Sequence, residues 1–484
     1  MKKFILGLTM GLMLICLSAC SNDMGRMNWY SSYDWSLDEN RESYAEITEN
    51  PFVKTEEDAT STFSMDTSTA GYANLRRLIN QGATIQMSHV KIEEMVNYFD
   101  YSYPAPEDDS ALRINSEMMV CPWNDEHYLL SVGVKAKELD VDSPKLNNLV
   151  FLLDVSGSMN YLNKLPLMQA AFKMFVETLN DDDTVSVVVY AGKNAVLLEG
   201  AKGSEKKRIV NIIEDLQAGG STAGSKGIRT AYTIASKYFI QGGNNRVILG
   251  TDGDFNVGIS SVSDLEKFIS EKRETGVYFS VLGFGYGNLQ DDKLETLAQN
   301  GNGNYAYIDS ITEAKKVLVE EIDGTLNIVS KDTKAQVTFN PRYISEYRLL
   351  GYENQLLTDE EFEDENADAG EIGAGHEVTA VYEIVLNEDD TVESTLEDDW
   401  AKVLIRHKDP DTGDNKEISA SVDVSSILSS PSADMLFISC VVETGLILRD
   451  SEYKGTSSLD NVITRLQGLA LANDPYKTEF LELV

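Results

Sequence analysis

The chain has 484 residues, 42% of them apolar and 25% charged, which is enough to bury a sizeable core and build two or three domains. Against 79 Asp and Glu stand only 41 Lys and Arg, a net charge of −38. Non-specific nucleic-acid binding and electrostatic attachment to an anionic bilayer both need clustered positive charge, so this balance excludes them and leaves a cationic partner or a metal ion open.

Residues 1–19 read as a leader. Lys2 and Lys3 precede an apolar run from Phe4 to Leu17, about 14 residues, too short for a bilayer of about 30 Å and the size of a secretory h-region. Leu17-Ser18-Ala19-Cys20 closes it and resembles the bacterial lipobox. That resemblance implies loss of the leader and lipidation of Cys20, with Ser21 favouring the outer membrane if the organism is Gram-negative; the alternative is a plain signal peptide cut after Ala19. Lipid chains would supply the anchor that an acidic surface cannot, each buried methylene contributing about 0.8 kcal/mol. Residues 20–50 are polar with interspersed Tyr and Trp, and a flexible tether is expected there. In the body only Cys121 and Cys440 remain, as a disulfide that export would permit or as two buried thiols. His89, His127, His376 and His407 show no metal-ligand spacing, which argues against a zinc hydrolase.

Residues 51–147 form an N-terminal flanking region, with helices predicted at 72–80 and 90–99 and strands at 111–120 and 128–135. Ile92, Met95, Val96 and Phe99 give the second helix its spacing. From 148 to 328, strands at 148–154, 184–191, 246–251, 277–284 and 304–308 alternate with helices. The first helix, 164–179, places Leu165, Met168, Phe172, Phe175, Val176 and Leu179 on one face, with Asn163 available as its cap. Near-continuous apolar strands suit a sheet covered on both faces, so this is an α/β domain, doubly wound on a mostly parallel sheet, whose ligands bind at the carboxyl ends of its strands. Residues 329–484 are β-rich and then helical, with strands at 336–339, 347–352, 377–386, 401–407 and 418–424 and helices at 432–449, 459–472 and the C-terminus. The acidic stretch 359–371 reads as a solvated loop. The run 435–448 is short and holds Glu443, so it reads as a core helix and not a membrane span. The β-rich flanks could pair into one β-sandwich with the α/β domain inserted, which requires Leu130 and Val403 to lie in one body.

The first α/β strand runs into Asp154-Val155-Ser156-Gly157-Ser158. Alternate residues of an extended segment project to one side, so Asp154, Ser156 and Ser158 can present three oxygens together. Gly219-Gly220-Ser221-Thr222-Ala223-Gly224 precedes a helix and offers the Thr222 hydroxyl, and the strand at 246–251 ends in Asp252. Oxygen donors from three loops, with no nitrogen or sulfur, describe a site for a hard cation, Mg²⁺ or Mn²⁺.

Asp154, Ser156, Ser158, Thr222 and Asp252 resemble the metal-ion-dependent adhesion site (MIDAS) of a von Willebrand factor type A domain. The resemblance implies that the hydroxyls coordinate the metal directly, the aspartates directly or through water, and that an Asp or Glu carboxylate of a protein partner completes the octahedron. Neutral hydroxyl ligands leave the cation electrophilic, so an incoming carboxylate gains strong charge pairing. Segments 51–66, 97–106, 308–326 and 351–385 resemble a largely uncharacterised family of bacterial lipoproteins whose flanking regions enclose such a domain.

Other motifs carry less. Asp66-Thr67-Ser68-Thr69-Ala70 echoes the metal motif but ends in Ala and lacks the strand-loop context. The segment from Asp252 to Asn256 begins like an EF-hand, yet Val257 replaces the required Gly and Ser263 the closing Glu. Asp254 could tune the metal or face water. Gly283 to Asn288 lacks the third glycine of a dinucleotide fingerprint, and Gly219 to Lys226 is no Walker loop. With no His or Glu in the motif loops to act as base, the reading is a non-enzymatic, lipid-anchored binding protein of the cell envelope that captures an acidic side chain. The alternative is an envelope assembly or regulatory scaffold working with an ATPase or membrane complex.

Overall fold

The computed structural model describes residues 41–139, 145–192, 194–220, 224–253, 262–387, 399–423, 426 and 430–484. The leader, Cys20, positions 20–40 of the expected tether, Thr222 and Asp254 lie outside the described residues.

Strands β1 (Val53–Lys54), β2 (Thr60–Ser64), β3 (Leu112–Val120) and β4 (His127–Ala136), with helices α1 (Ala70–Asn80) and α2 (Ile92–Asn97), precede the central domain. That domain supplies β5 (Asn147–Asp154), β6 (Thr184–Tyr190), β7 (Asn194–Lys202), β8 (Asn244–Thr251), β9 (Tyr278–Phe284) and β10 (Tyr305–Ile308). Among its helices are α3 (Leu165–Thr178), α4 (Gly224–Lys237) and α5 (Asp291–Asn300). Then follow β11 (Ile328–Phe339), β12 (Ile344–Leu350), β13 (Gly370–Gly373), β14 (Glu377–Leu386), β15 (Ala401–Lys408) and β16 (Asn415–Val422). Helices α6 (Ala433–Arg449), α7 (Leu459–Gln467) and α8 (Pro475–Leu483) finish the chain.

The central sheet has the order β10-β9-β8-β5-β6-β7, parallel except where the edge strand β7 runs against β6. All of β5 is buried, and its alternate residues serve two cores. Leu149, Phe151 and Leu153 share one with Met168, Phe172 and Phe175 of α3, the Phe151 and Phe172 rings lying 4.9 Å apart. Val150 and Leu152 share the other with Ile228, Ala231 and Tyr232 of α4. Helices on both faces are why the strand is apolar at every position from Leu149 to Leu153. The expected Asn163 cap is not used: Lys164 stands at the N-cap of α3 and makes no capping bond with its side chain.

The flanks build two antiparallel sheets, β1-β12-β14-β4-β3 and β13-β11-β15-β16, with β2 also paired to β11. One core lies between them, and Leu130 and Val132 of β4, Tyr382 of β14, Val337 of β11 and Val403 of β15 all line it. The chain leaves this sandwich after β4 and re-enters it at β11, with the α/β domain between. The other face of the first sheet, with Leu129 and Val381, packs under Tyr72, Met95, Phe99, Phe437 and Val441 from the helices. Helix α6 is therefore a core helix, and no described helix is long and apolar enough to cross a membrane.

The structure corrects two local expectations and decides between the two open for the cysteines. The acidic stretch 359–371 is not merely a loop: Thr358 caps a short helix, Asp359–Glu363, by accepting from the Glu361 N–H, Phe362 is buried, and β13 begins at Gly370. Residues 41–50 are not loose, because Ser43 donates its N–H to the Leu289 carbonyl at 2.9 Å and Asn50 Nδ2 reaches the Gly351 carbonyl at 2.9 Å. Cys121 and Cys440 are both buried free thiols.

Candidate metal centre

Asp154 ends β5 beside the point where successive strands turn to opposite sides of the sheet, the place where such sheets bind ligands. Its carboxylate is fully buried, and both of its oxygens accept hydrogen bonds. Oδ1 accepts the Ser156 N–H at 2.8 Å, which curls the loop back over the strand end. Oδ2 accepts the hydroxyls of Tyr190, at the end of β6, and Thr251, at the end of β8, each at 3.1 Å. Burial first, and the charge of Asp252 second, push the Asp154 carboxyl up to about 6.

The curl brings the Ser156 and Ser158 hydroxyls together, 2.9 Å apart, and drops Met159 into the core as an anchor. Gly157 donates its N–H to the Gly220 carbonyl at 3.0 Å, and Gly219 to that of Val155 at 2.8 Å. The first two motif loops are thus laced backbone to backbone, and Thr222 follows two residues after Gly220. Asp252, fully buried, follows β8, and its Oδ2 accepts from Lys164 Nζ at 2.9 Å. Lys164 Nζ also donates to Asn288 Oδ1 at 2.7 Å. Beside the site two large apolar side chains face solvent, Tyr161 63% and Leu162 88% exposed.

Of the five expected ligands, the structure places Asp154, Ser156, Ser158 and Asp252 at neighbouring strand ends. Among the described residues no group of three or more His, Cys, Asp or Glu could hold a metal. What converges here is hydroxyl and carboxylate oxygen, which fits a hard, oxygen-preferring divalent ion and would not retain zinc or copper against softer ligands. Sequence reasoning missed Tyr190, Thr251, Lys164 and Asn288. Only Lys164 left a readable signal: a lysine at a helix N-terminus opposes the helix dipole and needs an anion nearby.

Asp66, which heads the echo of the metal motif, meets Gln355 in the C-terminal flank, accepting its Nε2–H at 3.4 Å. It accepts the Ser68 N–H at 3.1 Å in a loop beside the sandwich, and burial raises its carboxyl.

Residues 148–321 match the von Willebrand factor type A domain, 38–131 the model described as von Willebrand factor, and 324–484 the C-terminal region of uncharacterized protein YfbK. Domains of the type A family are mostly interaction modules, and they commonly bind a divalent metal. Uncharacterized protein YfbK of Escherichia coli K12 is 37% identical over 463 residues, covering 91% of this chain and 80% of its own. Uncharacterized protein sll0103 of Synechocystis is 29% identical over 188 residues, 38% of this chain and 43% of that protein. Among solved structures, a von Willebrand factor type A protein from Catenulispora acidiphila covers 77% of this chain and 88% of its own at 15% identity, with a TM-score of 0.42. Since the likeness to YfbK runs through both flanks as well as the central domain, the chain belongs to the YfbK family, built around a von Willebrand factor type A domain.

Proposed function

We propose that this chain is a non-catalytic cell-envelope lipoprotein, anchored through Cys20, that binds a protein partner through Mg²⁺ or Mn²⁺ at Asp154, Ser156, Ser158, Thr222 and Asp252. The observation that carries the reading is the pair of serine hydroxyls, 2.9 Å apart, above a fully buried aspartate. When bound, the ion supplies a positive centre that a partner's Asp or Glu carboxylate can complete. The chain's own groups do the rest. Tyr190 and Thr251 fix the Asp154 carboxylate, Asp154 Oδ1 holds the serine loop in its curl, and Leu162 offers the apolar contact beside the site. The net charge of −38 repels acidic surfaces at long range, so the partner's carboxylate should stand on a neutral or basic face.

Calorimetric titration of the folded chain with Mg²⁺ and Mn²⁺, beside Asp154→Ala, tests the metal step. Saturable binding abolished by the substitution is expected. Equal heats from the two proteins would refute it.

A further inference from the structure

Lys164 is an unusual occupant of its position. It stands at the N-cap of α3, where the helix dipole disfavours a cation, and it is only 5% exposed. Its ammonium reaches Asp252 Oδ2 at 2.9 Å and Asn288 Oδ1 at 2.7 Å. The backbone is shaped to admit it. Gly285 has φ +75°, and a Cβ there would lie 2.3 Å from Lys164 Cγ, so only glycine lets the lysine stem pass. Gly253, next to Asp252, has φ +93°, and a Cβ there would lie 2.8 Å from the Gln290 nitrogen. The 285–290 loop therefore closes over the lysine stem and over the aspartate's own turn.

That loop is tied down from outside. Arg41 donates its N–H to the Gly287 carbonyl at 3.2 Å and Ser43 to that of Leu289 at 2.9 Å, while Asp291 returns a bond to the Ser43 carbonyl at 3.0 Å. Gly287 donates its N–H to Glu42 Oε1 at 2.7 Å, and Arg77 holds Glu42 Oε2 at 3.1 Å. A short stretch of extended chain, 41–44, thus straps the loop that carries Asn288.

We infer that Lys164 is a resident cation that competes with a divalent ion for Asp252, and that the 41–44 strap holds it there through the 285–290 loop. The inference rests on the metal reading above and adds its control. An ammonium on Asp252 neutralises one of the two carboxylates that attract the ion, and its charge repels a divalent cation a few ångströms away. Loosening the strap frees Asn288, lets the ammonium leave Asp252 and raises the site's affinity.

The experiment is calorimetric titration of Mg²⁺ and Mn²⁺ into the full chain as wild type, Lys164→Met, Ser43→Pro and the double variant. Thermal unfolding is measured on each with and without the ion. Lys164→Met keeps the apolar stem and removes the charge; Ser43→Pro removes the N–H donated to Leu289. Lys164→Met should bind at least tenfold more tightly than wild type, melt lower without divalent ion and recover with it. Ser43→Pro should tighten binding in the same direction but less, and should add nothing in the Lys164→Met background. Lys164→Gln, which keeps a polar tip for Asn288, repeats the measurement if the Met variant does not fold. Unchanged or weaker binding in the lysine variants, with wild type binding normally, overturns the inference and leaves the metal site standing. A Ser43→Pro gain that persists without Lys164 overturns the strap. Absence of binding in every folded variant overturns the inference together with the metal reading.

Discussion

Arg76 is the side chain on which three parts of the molecule converge, and replacing it with Met measures what that junction contributes. It lies on α1, 2% exposed. Nη2 and Nε take the two oxygens of Asp309, just after β10, at 2.7 and 2.9 Å. Nη2 also reaches Glu313 Oε2 at 2.7 Å, and Nη1 reaches the Tyr98 hydroxyl at 2.8 Å and Glu479 of α8 at 3.0 Å. Burial pushes the Glu313 carboxyl up, and the Arg76 guanidinium opposes that shift. Lost without the guanidinium are three charge-assisted hydrogen bonds to two carboxylates whose side chains are only 9% and 1% exposed. Stranding buried charge in this way costs about 3–5 kcal/mol; the Glu479 contact, 42% exposed on its carboxylate, adds little. Urea unfolding followed by tryptophan fluorescence and circular dichroism reads the loss. Lys173→Ala is the control, since its pair with Glu214 is 35% and 50% exposed and should count for less than about 1 kcal/mol. Adding Glu313→Gln to Arg76→Met should restore about 1–2 kcal/mol by removing the orphaned charge. An Arg76→Met midpoint equal to that of the control would show that the buried junction contributes no more than an exposed ion pair.

Three further outcomes are expected. Gly253→Ala should destabilise the fold by about 1–3 kcal/mol and weaken cation binding, because a methyl at φ +93° meets the backbone of the 288–290 loop at 2.8–3.0 Å; unfolding and titration of one sample report both. Leu162→Asp should leave Mg²⁺ affinity nearly unchanged while reducing capture of a carboxylate-bearing partner at least tenfold in a pull-down with metal, since its side chain is 88% exposed beside the site. Burial, then the Lys316 charge, holds His376 down at about 4 against 6.5. The unfolded chain therefore takes up this proton first, so the stability of the neutral ring is complete above about pH 6.5 and is lost as pH falls toward 4. Discounted for partial exposure this is about 2 kcal/mol, and His376→Gln should flatten that part of the stability profile measured by urea unfolding.

The central strands were legible because they are buried on both faces, which forces apolar residues at successive positions, as in Leu149 to Leu153. Strand β7 was not, since it is an antiparallel edge with Val196 40% and Leu197 43% exposed. Strand β2, Thr-Ser-Thr-Phe-Ser, carries one large apolar residue, yet most of it is buried because it lies against β11; only the tertiary pairing explains it. Of the site, Asp154, Ser156 and Ser158 could be read from their spacing alone, because one extended loop presents all three. Asn288 and Tyr190 could not, since they come from other strand ends and meet Lys164 and Asp154 only in the fold. The acidic run at 359–371 reads as a loop from its charge alone, whereas Thr358 caps a short helix at its start, a signal carried by one residue outside the run.

On the reading proposed above, hydroxyl and carboxylate oxygens at these strand ends hold a divalent cation. Anomalous diffraction from crystals of the full chain soaked in Mn²⁺ tests it most directly. The prediction is a strong peak within about 2.4 Å of the Ser156 and Ser158 hydroxyl oxygens, on the side of Asp154 and Asp252, and no peak there in Asp154→Ala. A peak confined to acidic surface such as the cleft lined by Glu320, Glu321 and Asp323, with none at the serines, would contradict it.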